Sequence, residues 1–89
     1  MKVRWNEAKN KLLKAERGVS FEQVLELIDK LDFIGPENNP VREGQKRIIV
    51  YFNNYPYIVP FVIEADGAWF FKTIYPSRKM KRRNDEKEI

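Results

Sequence analysis

Apolar positions recur with helical spacing in the first third of this 89-residue chain and with strand spacing after residue 46. At the start, Val3 and Trp5 alternate with Lys2 and Arg4, which predicts a short strand. Asn6 can cap a helix from Glu7 to about Glu16, with Ala8, Leu12 and Ala15 on one face, and Gly18 can end it with positive φ. The second helix carries the clearest pattern in the chain. Ser20 followed three residues later by Gln23 makes a capping box, and Phe21, Val24, Leu25, Ile28 and Leu31 repeat at helical spacing behind it. Gly35-Pro36 stops that helix, and residues 37–40 read as a loop.

Lys46 to Phe52 is rich in β-branched and aromatic residues and predicts a strand, followed by a turn at Asn53-Asn54-Tyr55-Pro56. Tyr57 to Glu64 is the next strand, with Pro60 pointing to an edge position or a bulge. Asp66-Gly67 marks a hairpin. Trp69 to Tyr75 is the third strand, apolar on both faces apart from Lys72 and Thr73, and therefore central. After Pro76 a short basic helix is expected, then a charged, frayed tail. Helices first and an antiparallel meander afterwards is an α+β layout, with one domain over residues 1–83 and the tail over 84–89. The stripe on the second helix demands a facing apolar surface, so Phe21, Val24, Leu25 and Ile28 are expected beneath the sheet.

Composition narrows the chemistry. Hydrophobic residues make up 43% of the chain and aromatics 13%, enough for a core without metal or disulfide staples. With no cysteine there is no disulfide framework, thiol nucleophile or thiolate zinc site. With no histidine the usual general base and the commonest transition-metal ligand are missing too, so no metal and no cofactor is expected. No apolar run approaches the roughly 20 residues of a membrane span, and the first residues do not read as a signal peptide. The expected location is the cytoplasm, with no membrane partner.

The net charge of +4 is unevenly distributed. Residues 1–17 carry six Lys/Arg against two Asp/Glu, and residues 72–89 carry seven against three, while residues 18–71 carry four against eight. If the basic ends meet in space they form one positive surface, the footprint of a phosphate-rich partner. A solvated, lysine-rich surface is the plain alternative.

Trp5-Asn6-Glu7-Ala8-Lys9, followed by Arg17-Gly18-Val19-Ser20-Phe21-Glu22, resembles the opening of the BrnT toxins of bacterial type II toxin–antitoxin systems. Near the other end, Ile74-Tyr75-Pro76-Ser77-Arg78-Lys79 is similar to the segment that follows the last strand in that family, and Arg47 matches a family arginine after a Gly-Glu-like loop. The resemblance runs from Trp5 to about Arg83, with Arg17 where the family prefers His, Pro76 where it prefers Ser, and Asn6 in place of Asp. It implies a RelE-like ribonuclease fold, attack of a ribose 2′-OH on the adjacent phosphate without a metal, and inhibition by a cognate antitoxin of ribbon-helix-helix type. The alternative is a non-catalytic module of the same fold that binds antitoxin or nucleic acid; a basic domain contacting an acidic protein is a third reading.

Cleavage of this kind needs cations around the phosphorane and groups that move two protons. The candidate catalytic residues are Arg47 and Arg78, and the candidate RNA-binding residues are Lys9, Arg17, Lys72, Lys79 and Arg82. Each has a plainer role open to it: Arg47 can blunt a sheet edge, Arg17 can complement a helix dipole, and Lys72 can snorkel. For Tyr75, base stacking or proton donation stands against a place in the core. Arg47, Lys72 and Arg78 are expected on one concave face, joined by Arg17. Full-length strands would instead put Arg47 and Arg78 at opposite ends of the sheet, unless Pro60 or the Tyr55-Pro56 connection shifts the register.

Overall fold

In the computed structural model, which describes residues 2–81, six strands make one sheet and two helices follow the first strand. These are β1 (Val3–Trp5), α1 (Glu7–Arg17), α2 (Phe21–Asp29), β2 (Ile34–Asn38), β3 (Lys46–Phe52), β4 (Tyr55–Ile63), β5 (Trp69–Phe71) and β6 (Tyr75–Pro76). The strand order is β1-β5-β4-β3-β2, with β6 also on β4. β1 runs parallel to β5 and every other pairing is antiparallel. This is the expected α+β class. The tail over 84–89 and the candidate Arg82 lie outside the described residues.

α2 forms as its sequence dictates. Ser20 Oγ accepts from Gln23 N, the Gln23 side chain accepts from Ser20 N, and Phe21, Val24 and Ile28 are buried. Leu25 is only half-buried. Leu31 is 82% exposed, because the helix ends at Asp29 and Leu31 itself takes a left-handed conformation that turns it off the stripe. Asn6 and Gly18 cap α1 as expected. The buried face of α1 is Asn10 and Leu13, however; Ala8, Leu12 and Ala15 are exposed. A buried amide does what an apolar residue was expected to do. Asn10 Oδ1 accepts from Phe21 N at 2.8 Å, and Asn10 Nδ2 donates to the Glu22 carboxylate and to Glu7 Oε1, so α1 is tied to the first turn of α2.

The core lies between these helices and one face of the sheet. Trp5, Phe21 and Phe71 stack with centroids 5.6–6.4 Å apart, joined by Ile48, Val50, Val59, Phe61 and Ile74. β3 turns into β4 through Asn53 and Asn54 alone, both at positive φ, the two-residue turn that suits the twist of a hairpin. Tyr55 and Pro56 therefore belong to β4 and not to the turn.

Two readings around prolines are corrected. Residues 34–38 form the edge strand β2, where Gly35-Pro36 makes a bulge. Ile34 pairs with Ile49 but Glu37 pairs with Arg47, so the register slips by one across the bulge. Gly35 sits at φ +106°, and a Cβ there would lie 3.0 Å from the Arg47 carbonyl oxygen. Pro60, in turn, lies in an inner strand. Its carbonyl accepts from Lys72 N, so its missing N–H faces the stretch 72–74 where β5 has ended and β6 has not begun. The expected strand from Trp69 to Tyr75 is broken there in two. β5 is nevertheless inner, between β1 and β4.

Candidate cationic cleft on the open sheet face

Side chains alternate across each strand, and register fixes which of them share a face. Arg47 is opposite Pro60, Ile49 opposite Ile58, Val62 opposite Phe70, and Ile58 opposite Tyr75. These positions alternate with the residues buried under the helices, so they make the other face of the sheet. Beyond β6, buried Ser77 accepts from Met80 N, which starts a helical turn at Arg78, and Ser77 N donates to Pro56 O. Lys81 Nζ donates to Asn54 O.

A cleft of about 400 Å³ results, lined by Arg47, Ile58, Tyr75, Ser77, Lys79 and Met80, with Pro40 and Val41 from the β2–β3 loop. A second hollow of about 430 Å³ shares Val41 and Tyr75 with it and adds Arg42, Lys72, Thr73 and Pro60. Tyr75 stands between the two. Arg47 is inner to β2 and is no edge-blunting residue; its side chain is 13% exposed, and its Nε donates to Glu37 Oε1 at 2.7 Å. That bond leaves both Nη groups without a partner among the described residues. Lys72 rests over the Phe70 ring, 5.0 Å from its centre. Lys79, Arg42 and Arg78 are unpaired among the described residues.

The structure brings Arg47 together with Lys79 and Tyr75, and Lys72 adjoins them. It does not bring Arg78 into the cleft. Ser77 and Lys79 line it on either side of Arg78 in sequence, but Arg78 lines neither hollow. Arg17 is on the helical side, where its guanidinium donates to Ile74 O and ties α1 to the break between β5 and β6. Lys9 is also on α1. Glu37 is an addition that the loop reading of residues 37–40 concealed, and Arg42, between that loop and the strand from Lys46, is another.

A hollow of about 330 Å³ on the helical side is lined by Arg17, Gln23, Glu26, Lys30, Phe52 and Tyr57 among others. Its cations are already engaged, Lys30 with Glu26 at 3.1 Å and Arg17 with Ile74 O. An anion there would have to displace them, whereas the open face offers Arg47, Lys72 and Lys79 directly. Among the described residues no group of three His, Cys, Asp or Glu side chains is placed to hold a metal ion, and no helix is long and apolar enough to cross a membrane.

Glu22, Asp66 and Glu64 are held in structural contacts. The Asn10 amide, then Lys14 at 3.1 Å, hold the Glu22 carboxyl below the usual carboxylate range against a smaller opposing effect of burial. Arg4 holds Asp66 well below that range and also binds Glu64 at 2.7 Å.

No protein-family model matches this sequence, and no curated protein matches it. Among solved structures, the ribonuclease toxin BrnT of Brucella abortus superposes with a TM-score of 0.63 at 21% identity, covering 89% of this chain and 99% of that one. The order of strand, helices and open antiparallel sheet is shared, and the fold of this chain is the BrnT fold.

Proposed function

We propose that the chain is the toxin of a bacterial type II toxin–antitoxin pair, acts in the cytoplasm, and cleaves RNA on the open face of its sheet. The carrying observation is the cleft in which Arg47, half-buried and with both Nη groups unpaired among the described residues, faces Lys79 and Tyr75. The likeness in fold to a ribonuclease toxin supports the same reading. Arg47 contacts two oxygens of the scissile phosphate, and Lys79 adds a compact positive charge that strengthens as the phosphorane forms. Lys72 and Arg42 hold a flanking phosphate, with a base stacked on Tyr75. Arg78, Lys9, Arg17 and Arg82 contribute to the wider positive field that draws RNA in. Since arginine and lysine supply the charge, the reaction in this reading needs no metal or cofactor.

The partner proposed for inhibition is a cognate antitoxin of ribbon-helix-helix type. Induced expression in bacteria, with and without a neighbouring gene of that type, tests the whole reading. Growth should stop and cellular RNA should fragment only when the antitoxin is absent. Unimpaired growth with intact RNA would leave a binding module without catalysis, the outcome to be checked by retention of RNA on the purified protein.

A further inference from the structure

We propose that Glu37 is the general base of this cleft. The inference rests on the ribonuclease reading and adds to it the group that takes the first proton. The chain contains no histidine. Lysine and tyrosine are ordinarily protonated at neutral pH, whereas a glutamate is ionised and ready to accept. The base must therefore be sought among carboxylates on the open face.

Glu64 and Asp66 are both bound to Arg4. Glu37 is the carboxylate in contact with Arg47. Its Oε1 accepts from Arg47 Nε, its Oε2 has no partner among the described residues, and its side chain is 44% exposed. A guanidinium held through Nε keeps its Nη1–Nη2 edge for two phosphate oxygens. A carboxylate beside that edge then stands next to the ribose 2′-oxygen, the atom adjoining the bound phosphate. The required approach is a hydrogen-bond length, about 2.6–3.2 Å.

The bulge in β2 is what makes this contact. Continuing the register of Ile34 with Ile49 would put Pro36 opposite Arg47; the extra residue puts Glu37 there. Bulges commonly re-aim a side chain beside a site. A cross-strand ion pair that clips an edge strand explains the bond to Nε, but gives no use to Oε2 and the Nη groups, which have no partner among the described residues.

In the step, the Glu37 carboxylate takes the 2′-OH proton as the 2′-oxygen bonds to phosphorus. The bond from phosphorus to the 5′-oxygen breaks, and that oxygen takes a proton from water in the open cleft. The products are a 2′,3′-cyclic phosphate and a 5′-hydroxyl, and Glu37 returns its proton to solvent.

The test uses the purified full chain on an RNA oligonucleotide, with the 2′-deoxy oligonucleotide as binding probe. Glu37→Gln keeps an oxygen for Arg47 Nε and cannot accept the proton. It should lower kcat by about 10²-fold or more, abolish the acid limb of the pH–rate profile, and leave KM and deoxy-oligonucleotide binding within about threefold. Glu37→Asp should retain the acid limb at a reduced rate. Cleavage by Glu37→Gln within about threefold of wild type overturns the proposal, as does a raised KM at unchanged kcat, which would make Glu37 only a positioning residue for Arg47. Should Glu37→Gln fail to fold, wild type and Glu37→Asp decide: absence of an acid limb in both overturns the proposal. A wild-type chain that binds but never cuts removes the ribonuclease reading itself, an outcome distinct from all of these.

Discussion

The two faces of the sheet handle polar groups in opposite ways. On the helical face, Asn10 is fully buried with its amide engaged on both sides, Arg17 is bound to a strand carbonyl, and Lys14 and Lys30 are paired with carboxylates. On the open face, Arg47 is held at one nitrogen only, and Lys79 and Arg42 are unpaired among the described residues. Charge count alone does not distinguish them, since both faces carry several cations. What sets the cleft apart is that its cations keep donors free among the described residues, whereas Arg4, on the same face but away from the cleft, is bound to Glu64 and Asp66. Groups satisfied within the fold contribute to stability; groups held in place but unsatisfied can contribute to a ligand or a transition state.

The largest effect should come from breaking the helical face. Phe21 is fully buried and stacks on both Trp5 and Phe71. Phe21→Ala should cost about 3–5 kcal/mol in chemical denaturation, and toxicity should disappear with the fold. The open face should fail differently. Arg47→Ala should reduce RNA cleavage by about 10²–10³, equivalent to about 2.7–4 kcal/mol in the barrier, the size of one lost transition-state donor. Lys79→Ala should also slow cleavage while shifting stability by no more than about 0.5 kcal/mol, since the side chain is exposed. If either variant lost activity only in proportion to its melting point, the contrast between the faces would be erased.

A third variant sharpens the contrast on the helical side. Asn10→Ala strips Phe21 N of its acceptor and Glu22 of its donor in a buried place. The expected loss is about 1–3 kcal/mol of stability, read by denaturation, with cleavage per folded molecule unchanged. A fall in specific activity at full folding would make Asn10 part of the site and not of the scaffold.

Local signals made much of this architecture legible. The capping box at Ser20 and Gln23, the caps at Asn6 and Gly18, and the turn at Asp66-Gly67 are short-range chemistry, and each stands where the sequence placed it. The exceptions depend on partners distant in sequence. Leu12 looked like the buried residue of α1 because an asparagine is counted as polar, yet Asn10 is buried by bonds to residues 21 and 22. Gly35-Pro36 reads locally as a breaker, and only pairing with β3 turns it into a bulge. Pro60 tolerates an inner strand because the neighbour on its N–H side is interrupted. At the site, Arg47 and Lys79 could be picked out from the family resemblance and Lys72 as a charge inside an apolar strand, and they gather on the open face. Glu37 could not, since its meaning depends on a one-residue slip in register.

The smallest expected effect is in the pH dependence of stability, and it separates the faces by a different observable. Hydrogen bonds from Asn10, then the charge of Lys14, lower the Glu22 carboxyl below its ordinary value in the folded chain. A depressed folded-state value means that the ionised form is favoured by folding. The contribution is therefore fully present above the ordinary range of an unfolded glutamate and is lost as pH falls through the folded value. The Glu22 side chain is 48% exposed, so solvent screening keeps the effect below about 1 kcal/mol. Asp66 behaves in the same direction through Arg4, so the acid response of the wild type is composite and Glu22 must be isolated by difference. Denaturation midpoints at neutral pH and in mild acid, for wild type and Glu22→Gln, supply that difference. Glu22→Gln should lie below the wild type at neutral pH and converge on it as the medium is acidified, and the same comparison made in a Lys79→Ala background should give the same convergence. A gap that stayed constant with pH would remove the ionised Glu22 from the helical network, and one that changed with Lys79 would show that the two faces are not independent.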